Sequence, residues 1–309
     1  MIQIPAPLWP APLKPGDKVR FLSPASPPER AGVMRRAAII RQWGLTVDFG
    51  AAAFHRHGYL AGTDEERLAD FNAALNDRSV RAIIATRGGK GSYRIADGLD
   101  FTALRADPKF IVGFSDIAIL QAMCIRACGL VGIHGALMGD DQDQIADATV
   151  MSLWRTLMGR DDTVIQPRPA EPTAALTTTG TARGRLVGGH LETIAAGAGW
   201  ALPPLHGAIW LVEAVNMQIG QTDRILTMLR KSGHLAGLAG VAVGQFTGFD
   251  LARSPTVLDV LREHLGQLHV PILGGLPLGH GPAPLSVPVG AIALLDADAG
   301  RLTVPASAG

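Results

Sequence analysis

The sequence predicts an α/β protein of two domains, a parallel N-terminal α/β sheet with a nucleophile elbow and a mixed C-terminal α/β domain. A length of 309 residues suits two domains of about 150 residues each. Short apolar runs alternate with helical patterns in the first half, as in parallel strands joined by right-handed crossovers. Residues 161–181 then carry several prolines and a run of three threonines. They are predicted to link domain 1–160 to domain 182–309.

Caps and apolar runs predict the elements of the first half. Residues 18–22 form the first predicted strand. Ser26, followed by two prolines, is predicted to cap a helix that ends at Gly44. Thr63 and Glu66 form a capping box, which predicts the start of a second helix. Further strands are predicted at 45–49, 80–85, 110–114 and 131–133.

Elements of the second half are predicted to be shorter and less regular. Apolar runs and helical patterns both occur there, which predicts a mixed α/β domain. The predicted strands lie at 184–187, 208–212, 240–245 and 291–295. The predicted helices lie at 191–198, 221–231 and 256–265.

Composition and charge exclude several classes of protein. The 28 basic and 27 acidic residues leave a net charge of +1 and form no basic stripe, so no nucleic-acid partner is predicted. No uncharged apolar run is long enough for a membrane span, so no membrane partner is predicted. The first fifteen residues contain five prolines and lack an apolar segment after a basic start, unlike a secretory signal. The cytoplasm is therefore the expected compartment.

Cysteine usage points away from disulfide and zinc chemistry. Cys124 and Cys128 are the 2 cysteines of the chain and lie in an apolar, helical pattern. Two cysteines cannot make a disulfide framework or a four-cysteine zinc site, so they are predicted to be buried thiols. No metal site and no cofactor is predicted.

A serine lies at the junction of a predicted strand and a predicted helix. The apolar strand 110–114 leads directly into Ser115, and a helical pattern begins at Ile117. A nucleophile elbow has this order, because the turn exposes the serine hydroxyl and the helix offers N–H groups to an oxyanion. The match to G-x-S-x-G is partial, since Ile117 occupies the second glycine position. A helix cap is the alternative role for Ser115 on this motif alone.

A glycine-rich loop follows the strand predicted at 80–85. Three glycines between positions 88 and 91 would allow close approach of a ligand, or would simply form a tight turn. The spacing excludes a phosphate-binding loop, because Ile84 stands where its first glycine is needed. The dinucleotide pattern also fails, since position 94 is not glycine.

A serine nucleophile needs a base and an acid that orients the base. Two of the nine histidines, His134 and His280, lie in segments that could bring an imidazole to the edge of the sheet where Ser115 is predicted. Glu213 ends an apolar strand, where a carboxylate needs a partner. The partner of Glu213 could be a catalytic histidine, or it could be Arg224 or Lys231 in a salt bridge. Six other histidines are predicted to lie at the surface: His55, His57, His206, His234, His264 and His269.

Taken in chain order, the motifs resemble the LD-carboxypeptidase family of serine peptidases. This family includes murein tetrapeptide LD-carboxypeptidases and microcin-C self-immunity peptidases. The resemblance spans nearly the whole chain, and its specificity comes from seven motifs in the right order. These motifs lie at 13–17 with 23–26, 87–92, 113–116, 134–135, 188–191, 211–213 with 223–224, and 275–281.

The resemblance implies a catalytic triad and its architecture. Ser115 would be the nucleophile, His280 the general base and Glu213 the acid that orients it. The oxyanion hole would combine the Asp116 N–H with an N–H of the Gly88–Gly89 turn. The N-terminal domain would hold the nucleophile and the C-terminal domain the other two residues, in a homodimer. The implied reaction removes the C-terminal D-amino acid from a murein peptide.

The chain departs from the family pattern beside the proposed site. Lys90 replaces a tyrosine, His190 an asparagine and Ala214 an aspartate. Arg87 and Lys90 are the candidates to bind the carboxylate of the substrate, and His190 is a further candidate substrate-binding residue. A structural ion pair is the alternative for Arg87. The alternative functions are an immunity-type peptidase that cleaves peptidyl-nucleotide conjugates, and a non-catalytic binder of murein peptides.

Overall fold

The computed structural model describes residues 4–137, 145–252 and 254–306. In these ranges the chain forms a mixed α/β fold with two β-sheets, as the sequence predicts. The strands are β1 (Lys18–Leu22), β2 (Thr46–Phe49), β3 (Val80–Ala85), β4 (Phe110–Gly113), β5 (Gly132–His134), β6 (Thr163–Ile165), β7 (Thr181–His190), β8 (Ile209–Val215), β9 (Gly240–Thr247), β10 (Ile272–Leu273), β11 (Val287–Val289), β12 (Ile292–Asp296) and β13 (Arg301–Val304). The α-helices are α1 (Arg30–Gln42), α2 (Asp64–Asn76), α3 (Phe101–Ala106), α4 (Ala118–Cys128), α5 (Asp147–Met158), α6 (Leu191–Ala196), α7 (Ile219–Lys231) and α8 (Val257–Gly266).

The first sheet has the strand order β11-β5-β4-β3-β1-β2. Strands β1 to β5 are parallel, and β11 joins the β5 edge in the antiparallel direction. Every residue of β4 is buried, as is typical of a parallel strand covered on both faces. The carboxyl ends of the parallel strands therefore meet at one edge, which carries the loops after β1, β3 and β4.

The second sheet has the order β10-β9-β8-β7-β12-β13-β6. Its strands β7 to β10 are parallel, whereas β12, β13 and β6 are antiparallel. Helix α4 lies between the two sheets. Its Ala118 and Ala122 belong to the apolar cluster of the second sheet, and its Ile119 to that of the first. This apolar contact brings the end of β7 against the start of α4, where a Cβ on Gly189 would lie 3.0 Å from Ala118 Cβ.

The boundary between the two domains remains a prediction, and two features cross it. Strand β6 lies inside the segment predicted as a linker and pairs with β13 in the second sheet. Strand β11 comes from the far end of the chain and completes the first sheet beside β5. None of the helices among the described residues is long and apolar enough to cross a membrane.

Two local predictions are wrong. Helix α1 begins at Arg30 rather than after Ser26, because the Glu29 side chain accepts hydrogen bonds from Ala31 N and Gly32 N and so acts as its cap. The sequence predicts His264 at the surface, but its side chain is only 3% exposed. Its Nε2 lies 2.8 Å from Asp223 Oδ1, and this partner allows the ring to be buried between α7 and α8.

Candidate active site

Ser115 lies directly after β4, in a single turn of 3₁₀-helix that leads into α4. Its backbone φ is +61°, in the left-handed region that is unfavourable for residues other than glycine. This is the strained strand-to-helix turn of a nucleophile elbow. A serine that only capped the helix would have an extended backbone, so the geometry favours the nucleophile over the cap.

The loop after β3 lies against Ser115. A Cβ atom placed on Gly88 would be 2.9 Å from Ser115 Cβ, 3.1 Å from its Oγ and 3.4 Å from Asp116 N. The backbone of Gly88 therefore faces both the hydroxyl and the first N–H groups of the following turn. Gly89 has a φ of +109°, a conformation that glycine adopts at no steric cost. The sequence leaves two roles open for this loop, close approach to a ligand and a simple tight turn. Its position beside Ser115 fits the first of them.

Ser26 holds this loop from the end of β1. Its backbone N–H donates to Gly88 O at 3.3 Å, and its Oγ accepts from Lys90 N at 3.2 Å. The Asp116 carboxylate holds the other end of the loop by accepting from Ser92 N at 2.7 Å. Burial raises the pKa of Asp116, and the Ser92 hydrogen bond opposes that rise. The residues expected around an oxyanion thus form one connected backbone unit.

Arg67 is a further member of this unit that sequence reasoning missed. Its side chain is fully buried, and its Nη1 donates to Gly91 O at 2.9 Å and also to Pro24 O. A charged side chain is rarely buried without such partners. The only sequence signal is an arginine on a helix with an apolar face, which does not distinguish a buried guanidinium from a solvated one. Arg67 thus joins the loop after β1 to the glycine loop.

The predicted acid and the predicted base come from the second half of the chain. His280 Nδ1 lies 2.7 Å from Glu213 Oε2, and the Glu213 side chain is 0% exposed. Burial alone would raise the pKa of Glu213, but the neighbouring His280, which hydrogen-bonds to the carboxylate, holds that pKa below its ordinary value. Of the partners left open by the sequence, the structure places His280 beside Glu213 rather than Arg224 or Lys231.

Ser115 and His280 line the same cavity, which has a volume of about 710 Å³. Phe114 directly follows β4, and its ring centroid lies 4.6 Å from that of His280, so it packs against the imidazole. No hydrogen bond joins Ser115 Oγ to His280 within the described ranges. Catalytic hydrogen bonds are often long in unliganded enzymes and shorten when substrate binds. The arrangement can therefore supply a nucleophile, a base, an orienting acid and an oxyanion site.

Two more histidines surround Glu213. His190 lies opposite Glu213 in the β7–β8 register, and its ring is 5.3 Å from that of His280. It is buried, with Nδ1 3.1 Å from Thr193 Oγ1, and burial lowers its pKa. His134 at the end of β5 is also fully buried. Among the residues described, no group of His, Cys, Asp and Glu side chains could hold a metal ion.

The two predicted carboxylate binders differ in their surroundings. Lys90 Nζ forms an ion pair with Glu192 Oε2 at 2.7 Å across the two halves of the chain. Arg87 lines the cavity, is exposed, and donates to Pro27 O at 3.4 Å. The structural ion pair considered for Arg87 does not occur among the described residues. Arg87 is thus the predicted cation that faces the cavity without a carboxylate partner in the described part of the chain.

The Gly88→Ala enzyme is expected to lose about 100-fold in kcat, because even a 1 Å displacement of reacting groups has a cost of that size. The new methyl group would lie 2.9 Å from Ser115 Cβ, so either the loop or the serine must move. Steady-state kinetics with thermal unfolding would test this. Gly220→Ala is the matched control, because a Cβ there meets nothing within 4 Å. Equal activities of the two variants would contradict the predicted close approach.

Acid is expected to destabilise the protein through His134. Burial lowers the pKa of His134 to about 4 from 6.5. Between these values only the unfolded chain binds the proton, so the free energy of unfolding falls as the pH drops from 6.5 towards 4. Urea unfolding at pH 7 and pH 4.5 should show a loss on the order of 2 kcal/mol from this residue. His134→Gln should reduce that loss, whereas the exposed His55→Gln should not; equal losses would refute the assignment.

Comparison with known proteins agrees with these observations. The family model for the LD-carboxypeptidase N-terminal domain matches residues 19–135, and that for the C-terminal domain matches residues 183–295. A Bacillus subtilis protein named probable murein peptide carboxypeptidase is 32% identical over 93% of this chain and 91% of its own.

Solved structures show the same fold. The muramoyltetrapeptide carboxypeptidase from Oxalobacter formigenes has a TM-score of 0.82 at 25% identity, covering 93% of this chain and 98% of its own. The microcin C7 self-immunity protein MccF is 25% identical to this chain in its Escherichia coli sequence, over 96% of each. Its complex with aspartyl sulfamoyl adenosine has a TM-score of 0.86 at 24% identity over 97% of this chain and 98% of its own. The chain therefore belongs to the LD-carboxypeptidase family of serine peptidases and is a carboxypeptidase enzyme.

Proposed function

We propose that this enzyme hydrolyses the amide bond to a C-terminal D-amino acid, and that D-Ala of the murein tetrapeptide is its substrate in peptidoglycan recycling. The observation that carries the proposal is the convergence of Ser115 with His280 in one cavity. Glu213 lies behind His280 at hydrogen-bond distance. The names of the Bacillus and Oxalobacter relatives support a murein peptide as the substrate class.

In the proposed acylation step, Ser115 Oγ attacks the carbonyl carbon of the penultimate residue while His280 Nε2 accepts the hydroxyl proton. Glu213 accepts a hydrogen bond from His280 Nδ1 and stabilises the imidazolium that forms. The Asp116 N–H and an N–H of the Gly88–Gly89 turn would bind the oxyanion, and each such donor contributes about 3–4 kcal/mol in comparable sites.

Collapse of the tetrahedral intermediate breaks the C–N bond. The imidazolium of His280 gives its proton to the departing amine, and D-Ala leaves. Water then attacks the acyl group on Ser115, with His280 as its base, and the shortened peptide and the free serine result.

The predicted substrate-binding residues enter the proposal in different ways. Arg87 lies on the cavity wall, where it can reach a substrate carboxylate. Lys90 is paired with Glu192, so its role would be to join the two halves of the chain at the substrate site. His190 is buried against His280, so its role would be to position the imidazole of His280 rather than to contact a ligand in the open cavity. A homodimer and a cytoplasmic location belong to the same proposal, on the family resemblance; light scattering and cell fractionation test them.

The test mixes purified enzyme with murein tetrapeptides that carry either meso-diaminopimelate or L-Lys at the third position. Free D-Ala is followed by mass spectrometry, and Ser115→Ala is measured beside the wild type. Release by the wild type alone is the expected result. The preferred third residue would follow from the two kcat/KM values.

Failure of this test would be informative. A folded protein that reacts with a fluorophosphonate probe but releases no D-Ala would be a serine hydrolase with another substrate. Aspartyl sulfamoyl adenosine, which MccF holds in its solved complex, would be the next compound to try. A protein that binds the tetrapeptide but reacts with neither the fluorophosphonate probe nor aspartyl sulfamoyl adenosine would be a non-catalytic binder, which is the other alternative that the sequence leaves open.

A further inference from the structure

The cavity beside Ser115 extends away from the catalytic residues along helix α1. Its wall there includes Arg36, and Arg87 lines it nearer the nucleophile. Arg36 is half-buried, and its Nη2 donates to Thr86 O at 2.9 Å. This hydrogen bond fixes the plane of the guanidinium against the end of β3, which is the strand that leads into the glycine loop.

Neither guanidinium is neutralised within the part of the chain that the structure describes. Other cations are paired there: Arg20 lies 2.7 Å from Asp48, and Lys90 lies 2.7 Å from Glu192. The carboxylate on the same stretch of wall is Glu29, which caps α1 by accepting from two backbone N–H groups. Burial lowers the pKa of Arg36, and the charges of Arg35 and Arg87 lower it further, whereas the charge of Glu29 opposes this shift. Two like charges close together on a cavity wall favour an anionic ligand.

The position of the two arginines relative to Ser115 matches the shape of a carboxypeptidase substrate. Only an amide nitrogen and one Cα separate the scissile carbonyl from the terminal carboxylate. On the protein side, three consecutive residues span the same short distance. Thr86 accepts the hydrogen bond from Arg36, Arg87 follows it, and Gly88 lies against Ser115. A carbonyl held at Ser115 therefore places its terminal carboxylate near the same stretch of loop. A guanidinium binds a carboxylate through two parallel hydrogen bonds.

We propose that Arg36, together with Arg87, forms the subsite for the terminal carboxylate of the departing amino acid. The subsite takes a peptide with a free C-terminal carboxylate and discriminates against one whose end is blocked. This proposal rests on the proposed function, because it assumes a peptide amide at Ser115. It assigns the role to Arg36, a residue on α1 outside the motifs by which the sequence resembles the family.

The test compares two substrates that differ only at their end: the murein tetrapeptide with free D-Ala and the same peptide ending in D-alaninamide. Values of kcat/KM are measured for the wild type, Arg36→Gln, Arg36→Lys and Arg41→Gln. Arg36→Gln is expected to lose about 30-fold on the free acid, mainly through KM, and less than about threefold on the amide. Arg36→Lys, which keeps the charge, should recover part of the loss. Arg41→Gln is the control, because Arg41 is exposed on the same helix.

Each alternative outcome excludes a specific claim. Equal losses by Arg36→Gln on both substrates would mean that Arg36 only holds α1 to Thr86, and would overturn the subsite. No loss on either would place the carboxylate elsewhere. Labelling of Ser115 by a fluorophosphonate, which has no terminal carboxylate, should be unchanged in Arg36→Gln and reports a folded site. A wild type that cleaves neither peptide would overturn the proposed function and the subsite with it, whereas a cleaving wild type with an unchanged preference in Arg36→Gln overturns the subsite alone.

Discussion

The Ser115→Ala enzyme is expected to fold normally and to release D-Ala about 10⁶-fold more slowly than the wild type, since loss of a nucleophile in comparable triads has this effect. No other hydroxyl needs to be invoked, because Ser115 is the residue at the strained turn beside Gly88. The measurement is single-turnover release at high enzyme concentration, with thermal unfolding as the control for folding. A rate above one hundredth of the wild type would exclude Ser115 as the nucleophile.

Ser115→Gly is the matched variant that separates strain from chemistry. It lacks the hydroxyl, as Ser115→Ala does, but glycine adopts a φ of +61° without steric cost. Both variants should be inactive. Ser115→Gly should be more stable than Ser115→Ala by about 1 kcal/mol, because a side chain at positive φ costs roughly that much. If the Ser115→Ala variant proved as stable as the Ser115→Gly variant, the backbone at this turn would not be strained.

The nucleophile turn could be predicted from sequence because its determinants are local. The strand β4 and the first residues of α4 flank Ser115 within a few positions, and the structure confirms both elements. The mixed arrangement of the second half was also predictable from alternating patterns. Ser115 itself remained ambiguous between cap and nucleophile, since the sequence does not specify its φ. The assignment of Ser115 as the nucleophile comes from the family resemblance rather than from the local pattern.

The supports of the glycine loop were not predictable, because they are distant along the chain. Ser26 binds the backbone of Lys90, which is 64 residues away, and its position before two prolines suggested a helix cap instead. Arg67 reaches Pro24, which is 43 residues away. A charged residue on a helix is normally solvated, so its burial becomes visible only when the carbonyls that it satisfies are located in three dimensions.

Strand β11 illustrates a second limit. It has three residues with a proline in the middle, which a pattern of alternating or apolar residues cannot distinguish from a loop. Its pairing with β5 places Val287 opposite His134, so the second half of the chain completes the first sheet. The Glu213–His280 pair is similar, since the two residues are 67 positions apart and spacing alone left three partners open.

Substitution of Glu213 by glutamine is expected to lower kcat about 10⁴-fold with little change in KM, the size of effect seen when the acid of a serine protease triad becomes an amide. Glutamine has nearly the same shape, so packing around the fully buried side chain is kept. Its NH₂ group can donate to His280 Nδ1, which would leave the proton on Nε2. An imidazole in that tautomer cannot accept the serine proton.

The stability of Glu213→Gln distinguishes catalysis from structure. Because His280 holds the pKa of Glu213 below its ordinary value, the fold favours the ionised carboxylate, so the neutral amide of nearly equal volume should lower the free energy of unfolding, but only modestly. A salt bridge needed for folding would instead give a large drop in the unfolding temperature along with lost activity. Glu263→Gln, at an exposed position on α8, is the control and should change neither quantity. An active Glu213→Gln enzyme would show that His280 keeps its tautomer without the carboxylate, and the triad would reduce to a Ser115–His280 pair.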